Sequence, residues 1–270
     1  MINKICSIRE KILIRKPLIH CITNPISING CANLILSLGA RPIMAEHPEE
    51  VCEITNASDA LMLNIGNITD ARMKSIMLSL ETAMGKDIPV LLDIVGIACS
   101  KFRRKYVMEL LNISVPSVIK GNYSEIVSLH NEEYFSSGVD ADASLDIAHI
   151  IYAARALALK YQTVILATGQ TDVITDGKKI VYVKNGTPQL SYVTGTGCML
   201  GSLCTAFLTQ LTPMDGAVSA CAYFGICGEM AETDNGGGSF MVNLIDNIST
   251  LSSNEILKYI NMEEKNFEKA

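Results

Sequence analysis

The chain has 270 residues, of which 49% are hydrophobic and 19% charged, with a net charge of −6. This composition supports a large core and argues against disorder, and we predict one domain spanning residues 1–270. The acidic balance gives no reason to expect nucleic acid as a partner. Since no apolar run reaches the ~18 residues of a membrane span, and the charged N-terminus lacks signal-peptide features, we expect a cytoplasmic protein with no membrane partner.

The cysteines are odd in number, irregular in spacing and placed mostly in apolar runs. No CxxC pair occurs, which argues against a zinc site, and the pattern is typical of reduced thiols rather than a disulfide framework. They lie at positions 6, 21, 31, 52, 99, 198, 204, 221 and 227.

Short apolar runs alternate with helical patterns along most of the chain. After residue 198 the sequence reads as purely helical, and we expect the charged tail, residues 263–270, to be frayed. In chain order we predict a helix at 3–15, a strand at 18–23, a helix at 27–38, a strand at 41–45, a helix at 49–56, a strand at 60–65, a helix at 70–85, a strand at 89–93, a helix at 102–111, a strand at 117–120, a helix at 144–161, a strand at 163–167 and a hairpin at 173–183.

Strands that alternate with helices imply βαβ units and a parallel sheet. The strands are nearly all-apolar, as expected when both faces are buried. We therefore predict an α/β fold with three layers, in which a mainly parallel central sheet is flanked by helices on both faces.

Polar and small residues follow most of the predicted strands. In such a sheet, ligands bind at the carboxyl ends of the strands, so this clustering at one edge predicts a binding site. The residues are Thr23, Asn24, Met44, Asn64 to Gly66, Asp93, Lys120 to Asn122, Thr168, Gly169 and Thr194 to Gly197.

One glycine-rich turn, with Gly195, Gly197 and Gly201, joins a β-rich run at 189–193 to a helical run at 199–211. Its spacing matches neither the dinucleotide fingerprint nor a P-loop. Free amides at a helix start suit a phosphate, so we predict an anion hole for a transferring phosphoryl group. The alternative is a structural turn beside a buried cysteine.

Cys198 lies at the start of that helix and serves as a base, a nucleophile or a structural thiol. The helix N-terminus is expected to lower its pKa, which would suit removal of a proton from an attacking alcohol. His20 follows an apolar strand and meets Cys198 only if the fold brings them together; the alternative is a core histidine with satisfied hydrogen bonds.

Two carboxylates follow predicted strands. Asp93 and Glu125 together would suit Mg²⁺, which needs few carboxylates, although Asn122 to Glu125 also fits a capping box. Lys120 is a natural point charge for an ATP phosphate. Met44 and Cys21, at apolar strand ends, suit a small aromatic heterocycle or plain core.

These motifs together resemble the hydroxyethylthiazole kinase family, in order over about residues 15–245. The segment Val193 to Leu200, Val-Thr-Gly-Thr-Gly-Cys-Met-Leu, is highly specific. The other matching segments are Pro17 to Asn24, Ala32-Asn33, Leu38 to Ala45, Leu61 to Gly66, Leu92-Asp93, Ile119 to Asn122 with Glu125, Ala167 to Gly169, and Gly238 to Phe240.

The resemblance implies a ribokinase-like kinase that uses ATP and Mg²⁺ to phosphorylate the hydroxyl of 4-methyl-5-(2-hydroxyethyl)thiazole in thiamine salvage. It also implies a homotrimer with the thiazole between subunits. Carried over by residue, the resemblance implies that Met44 and Gly195 contact the thiazole, with Asn24 and Gly66 nearby, and that Lys120 and Thr168 contact ATP. It implies that Asp93 and Glu125 help to place Mg²⁺. The implied catalytic residues are Thr196 and Gly197 of the anion hole and Cys198, which takes the place of the superfamily's aspartate base.

Three departures from the family pattern bear on this expectation. Lys120 stands where the family usually has arginine. Lysine loses the paired hydrogen bonds that a guanidinium makes with a phosphate, but it keeps the positive charge. The loop after Asp93 differs from the family's pattern, and a glycine replaces a proline before Gly238. Alternative functions are a kinase for hydroxymethylpyrimidine or a sugar, a catalytically weak nucleotide- or metabolite-binding protein, and a thiol enzyme that uses Cys198 covalently.

Overall fold

A computed structural model describes residues 1–134 and 146–267. In these ranges helices and strands alternate as predicted up to residue 168, except that two helices rather than one lie between the strands at 118–122 and 164–168. The strands are β1 Leu18–Ile22, β2 Arg41–Ile43, β3 Ala60–Asn64, β4 Val90–Asp93, β5 Val118–Asn122, β6 Val164–Thr168, β7 Asp172–Thr175, β8 Lys179–Val183 and β9 Met262–Asn266. The helices are α1 Ile2–Arg15, α2 Ile28–Leu38, α3 Val51–Asn56, α4 Asp70–Met84, α5 Lys101–Ile113, α6 Tyr123–His130, α7 Ile147–Tyr161, α8 Thr196–Leu208, α9 Pro213–Ala231, α10 Gly237–Thr250 and α11 Ser253–Tyr259.

The strands of the described residues form one sheet in the order β2-β1-β3-β4-β5-β6-β7-β8-β9. The pairings from β2 to β6 are parallel, and those from β6 to β9 are antiparallel. The strand order reverses at β1, because β2 lies on one side of it and β3 on the other. Such a reversal opens a crevice at the carboxyl ends of β1 and β3, the usual ligand site of an open α/β sheet.

Both faces of the sheet are covered by apolar clusters, which confirms the predicted three-layer arrangement. Met62 of β3 packs into one cluster, with α1, α2 and α8 to α11, whereas its neighbours Leu61 and Leu63 pack into the other, with α4 to α7. This alternation follows from the two-residue period of a strand. None of the helices in the described ranges is both long enough and apolar enough to span a membrane.

The end of the chain differs from the prediction. Residues 262–266 form β9, which pairs with β8, so the tail is ordered there and the chain after 198 is not purely helical; residues 268–270 lie outside the described part. β9 supplies hydrogen-bond partners for the backbone groups at the free edge of β8. The charged residues of this segment give no local sign that it forms a strand. Phe267 then packs on the second cluster, with the Arg155 guanidinium 4.2 Å from its ring centroid.

Two further elements differ from their predictions. Residues 188–192 form a 3-10 helix rather than a strand, because Pro188 presets a helical φ and Thr187 caps it by accepting from the Gln189 amide. Helix α6 was predicted only through the capping-box alternative for Asn122 to Glu125, which the structure confirms. Helix α7 begins at Ile147, and the predicted start at Ser144 lies outside the described residues.

Candidate active site

The register of the sheet places three polar side chains in one row across the crevice. Asn64 of β3 is the partner of Asp93 in β4, and Asp93 is the partner of Lys120 in β5. All three are nearly fully buried. Because the strands are parallel, polar residues at or near their carboxyl ends meet at one edge, as the sequence predicted.

Asn64 connects this row to the rest of the site. Its side-chain amide nitrogen donates to Asp93 Oδ2 at 3.2 Å and to Cys198 Sγ at 3.3 Å. Its Oδ1 accepts from the Gly66 amide at 2.8 Å and from Asn24 Nδ2 at 3.4 Å. The sequence marked Asn64 only as a strand exit. An amide side chain at the end of an otherwise apolar buried strand was the available signal.

Cys198 is the third residue of α8 and is only 9% exposed. Asn24 Nδ2 donates to its sulfur at 3.2 Å, in addition to the Asn64 contact. Burial, and then the charge of Asp93, raise the pKa of this thiol above its ordinary value. The expectation of a lowered pKa is therefore wrong, because loss of hydration outweighs the Lys120 charge and the hydrogen bonds that act to lower it.

The first turn of α8 has no side-chain cap. Its N-cap is Gly195, with φ at +89°, a left-handed conformation that disfavours any residue with a side chain. The Thr196 hydroxyl is within hydrogen-bond distance of the carbonyls of Leu190 and Val193, and these contacts hold the turn in place. The first amides of the helix are thus available to an anion, which fits the predicted anion hole.

Lys120 lies beneath this turn. Its Nζ is 3.0 Å from Asp93 Oδ2, and its side chain is only 5% exposed. Burial by itself lowers the pKa of Lys120, but the charges of Asp93 and Cys198 together raise it above its ordinary value. A β-carbon on Gly197 would be 3.9 Å from Nζ, so the ammonium faces the helix start. A direct contact between Lys120 and ATP stays a prediction.

Glu125 closes the capping box of α6, as one reading of the sequence indicated. Its Oε2 accepts from the Asn122 amide and its Oε1 from the Gly96 amide, both at 2.7 Å, and the Asn122 side chain caps Glu125 in return. Burial, followed by the Asp93 charge, raises the pKa of Glu125 to about 7. The carboxylate is therefore held between β4 and β5 in a place where a cation would favour its ionised form.

The remaining predicted residues lie along the same edge of the sheet. Gly66 packs against the side-chain amides of Asn24 and Asn64: a β-carbon at Gly66 would be 2.9 Å from Asn64 Oδ1 and 3.1 Å from Asn24 Nδ2. Met44 follows β2 on one side, partly buried, and Thr168 ends β6 on the other, with its hydroxyl 3.4 Å from the Gly121 carbonyl.

His20 and Cys21 belong to the core. The His20 ring nitrogens are each 2.9 Å from a partner, the Thr55 hydroxyl and the Ala45 carbonyl, and burial lowers its pKa. This confirms the satisfied core histidine rather than a partner for Cys198. Cys21 is buried in the first apolar cluster.

A magnesium site can be tested against the donor atoms present. Asp93 Oδ1 is buried and has no hydrogen-bond partner. No cluster of three or more potential ligands from His, Cys, Asp and Glu exists among the described residues. Mg²⁺ in nucleotide sites commonly binds one or two carboxylates together with phosphate and water. Asp93 and Glu125 therefore fit this ion, and they would hold it through few protein ligands.

Comparison with known proteins agrees with this geometry. The sequence model of the hydroxyethylthiazole kinase family matches residues 10–254. The chain is 44% identical to hydroxyethylthiazole kinase 2 of Clostridium botulinum strain Hall, over 94% of this chain and 97% of that protein. It is 38% identical to the hydroxyethylthiazole kinase of Finegoldia magna, over 98% of both.

Solved structures give the same result. A hydroxyethylthiazole kinase protein from Pyrococcus horikoshii superposes with a TM-score of 0.89 at 33% identity, covering 97% of this chain and 99% of that one. A pyridoxal kinase from Staphylococcus aureus, solved with AMP-PCP and pyridoxal, shares the fold at a TM-score of 0.66 and 14% identity, covering 93% of this chain and 99% of that one. The fold is thus ribokinase-like, and the chain belongs to the hydroxyethylthiazole kinase family.

Proposed function

We propose that this protein, acting as a single domain in the cytoplasm, transfers the γ-phosphoryl group of ATP to the hydroxyl of 4-methyl-5-(2-hydroxyethyl)thiazole in thiamine salvage. The observation that carries the proposal is the buried cluster of Cys198, Asn24, Asn64 and Asp93 beneath the uncapped start of α8. Family membership supports the substrate. All nine cysteines are free, which suits a reducing compartment.

Each part of the cluster has a role in phosphoryl transfer, which depends on positioning and charge stabilisation. The amides of Gly195 to Cys198 stabilise charge that develops on the transferring group. Cys198 orients the attacking hydroxyl; it accepts the hydroxyl proton only as the thiolate, which its raised pKa disfavours. The amides of Asn24 and Asn64 fix its sulfur at the point where that hydroxyl must lie. Mg²⁺, held by Asp93 and Glu125, would neutralise the phosphate oxygens when bound.

The flanking residues complete the proposed site. Met44 and Gly195 contact the thiazole, with Asn24 and Gly66 beside them. Thr168, and Lys120 through its charge, serve ATP. Lys120 is already paired with Asp93. Its ammonium therefore acts on the phosphates as part of this ion pair rather than as an isolated positive charge.

A homotrimer with sites at its interfaces is also part of the proposal. Two large apolar side chains next to the site support it: Ile26 is 68% exposed and Tyr192 is 77% exposed. Burial of these side chains in a subunit interface would favour association. Sedimentation analysis should give the trimer mass, and Ile26→Asp should shift it towards smaller species. A monomer at all concentrations would contradict this part of the proposal.

The activity is tested by ADP release from purified protein with ATP and Mg²⁺. Hydroxyethylthiazole should stimulate release far more than hydroxymethylpyrimidine or a sugar, whereas the reverse preference would move the protein to another kinase class. Binding without turnover would indicate a catalytically weak binding protein. A covalent adduct on Cys198, detected by mass spectrometry, would contradict the kinase mechanism.

Substitution of Cys198 separates a base from a specific need for sulfur. Cys198→Asp should keep or raise activity if the residue acts as a base, because a carboxylate accepts a proton at neutral pH. Cys198→Ala should lose activity with nucleotide binding intact. Loss of activity in Cys198→Asp with substrate binding retained would show that the thiol itself is needed.

A further inference from the structure

Two arginines bind successive carbonyl groups of the loop that follows β3. Arg103 Nη2 donates to the Gly66 carbonyl at 2.8 Å, and Arg72 Nη1 donates to the Asn67 carbonyl at 3.2 Å. They come from different helices, α5 and α4, and neither was predicted to belong to the site. Guanidinium groups have several donors in a rigid plane, so one such group can join separate segments.

The other nitrogens of each arginine reach a neighbouring loop. Arg72 binds both carboxylate oxygens of Glu46, at 2.7 and 2.9 Å, and Glu46 lies two residues after Met44. Arg103 Nη1 donates to the Val95 carbonyl at 3.2 Å, two residues after Asp93. The loops after β2, β3 and β4 are therefore cross-linked through the loop in the middle.

Both side chains start from fixed points. Each arginine is the third residue of its helix, and its amide donates to the N-cap side chain, Thr69 for Arg72 and Ser100 for Arg103. Gly96 provides the space for the Arg103 head group: its φ is +79°, and a β-carbon there would be 2.1 Å from Nη1. A side chain at position 96 would therefore displace the guanidinium.

A continuous chain of hydrogen bonds leads from Arg103 to the reacting centre. The Gly66 carbonyl accepts from Arg103, the Gly66 amide donates to Asn64 Oδ1 at 2.8 Å, and Asn64 Nδ2 donates to Cys198 Sγ and Asp93 Oδ2. This loop contributes to the orientation of the Asn64 amide, since Oδ1 accepts from the Gly66 amide and from Asn24 Nδ2. The Asp93 carboxylate, which can only accept, sets the Nδ2 end.

We infer that Arg72 and Arg103 are positioning residues: they hold the loops after β2, β3 and β4 as one unit, so that Gly66 fixes the Asn64 amide against Cys198 and Asp93. The expected effect on kcat rests on the proposed kinase function, whereas the positioning of Asn64 by the two arginines does not. Small displacements of a supporting loop are costly for reactions that depend on alignment.

Arg103→Lys is the decisive variant, because lysine keeps the charge but cannot bridge the Gly66 and Val95 carbonyls. We expect kcat for thiazole-dependent ADP release to fall about tenfold or more, with a much smaller change in KM for ATP. Lys105→Ala is the matched control, since Lys105 is on the same helix with a 78% exposed side chain and should leave kcat unchanged. Arg72→Lys should act in the same direction through Asn67.

A second readout needs no turnover. Once the Asn64 amide is released, the Cys198 sulfur loses one donor and part of its cover, so the rate at which iodoacetamide alkylates it should differ between Arg103→Lys and the unmodified protein, as followed by peptide mass spectrometry. If the unmodified protein shows no thiazole-dependent turnover, the proposed function fails and alkylation still decides the positioning role.

Unchanged kcat and unchanged alkylation in folded Arg103→Lys and Arg72→Lys would overturn the inference. A lower melting temperature with unchanged kcat and alkylation would do so as well, because it would show a purely structural role. If Arg103→Lys does not fold, Arg72→Lys decides alone.

Discussion

Asn64 illustrates how one side chain determines the geometry of the site. Its amide group uses both ends, with two contacts on the nitrogen side and two on the oxygen side. A buried polar network of this kind is rigid when every member is satisfied and costly when one is removed. The Cys198 thiol and the Asp93 carboxylate are therefore both held by the Asn64 side chain.

Removal of this support should lower both stability and activity. Asn64→Ala leaves the Gly66 amide without its acceptor, at a cost of about 1–3 kcal/mol in the free energy of unfolding. It also frees Cys198 and Asp93, so kcat/KM should fall ~100-fold. Urea unfolding and steady-state kinetics measure the two effects. Asn33→Ala, an exposed asparagine in α2, is the control, and equal activity of the two variants would contradict this role.

Glu125 should make stability depend on pH. Its pKa is raised from 4.5 to about 7 in the folded protein, so the folded state holds the proton more tightly than the unfolded chain. Its stabilising contribution is complete below the unfolded pKa and is lost as pH rises through about 7. Between about pH 4 and pH 8, the free energy of unfolding should therefore fall by about 3 kcal/mol more in the unmodified protein than in Glu125→Gln.

The measurement is urea denaturation of both proteins at each pH. Glu109→Gln, at a half-exposed glutamate of α5, controls for general loss of negative charge. A difference between the unmodified protein and Glu125→Gln that stays constant with pH would show that this carboxyl has no raised pKa. Mg²⁺ and nucleotide should reduce the pH effect, because a bound cation favours the ionised form.

At the scale of elements, the site depends on how closely α8 approaches the sheet. Gly201 provides that approach: a β-carbon there would be 2.8 Å from the Met62 methyl group and 3.5 Å from Asp93 Oδ2. The helix start, with its free amides, is thus held directly above the polar row of β3, β4 and β5. The glycine at this position serves packing, while Gly195 serves backbone conformation.

Enlarging Gly201 should separate the helix from the sheet. Gly201→Ala should be tolerated, because the flexible end of Met62 can move, whereas Gly201→Val should destabilise by about 1–3 kcal/mol through overpacking. Activity should fall with it as Asp93 shifts. Gly238→Ala is the control, since nothing lies within 4 Å of its added carbon in α10. Thermal unfolding compares the three variants, and equal melting temperatures for Gly201→Val and Gly238→Ala would contradict the packing role.

At the scale of the whole molecule, the sheet combines a parallel part that carries the site with an antiparallel part that extends the core. The last strand, β9, covers the edge of β8 and is joined to it along five residue pairs. Its partner strand is otherwise an apolar edge, and such edges promote association. The C-terminal segment therefore protects the fold far from the reacting groups.

Truncation tests this role. A chain that ends at Asn261 should melt at a lower temperature and aggregate, because β8 loses its partner and Phe267 leaves the second cluster. A chain that ends at Phe267 keeps both features and should behave like the full chain. Light scattering during thermal unfolding compares them. Equal behaviour of the two truncated chains would show that β9 is dispensable.

Much of the fold and part of the site followed from local sequence. Apolar runs bounded by turns predicted six parallel strands, since strands buried on both faces leave a strong local pattern. Polar residues at their ends predicted the row of Asn64, Asp93 and Lys120 at one edge, because parallel strands end together. The glycine turn predicted an uncapped helix start.

Tertiary structure decided what those residues do. The pKa of Cys198 rises because of burial and the charge of Asp93, and neither is visible in the local sequence. Lys120 is committed to Asp93, and β9 forms only because a distant strand offers its edge. Arg72 and Arg103 each gain one contact from a loop distant in sequence, Glu46 for Arg72 and Gly66 for Arg103. Local sequence determines which groups reach the edge of the sheet, whereas distance, burial and partner choice arise only when the strands assemble.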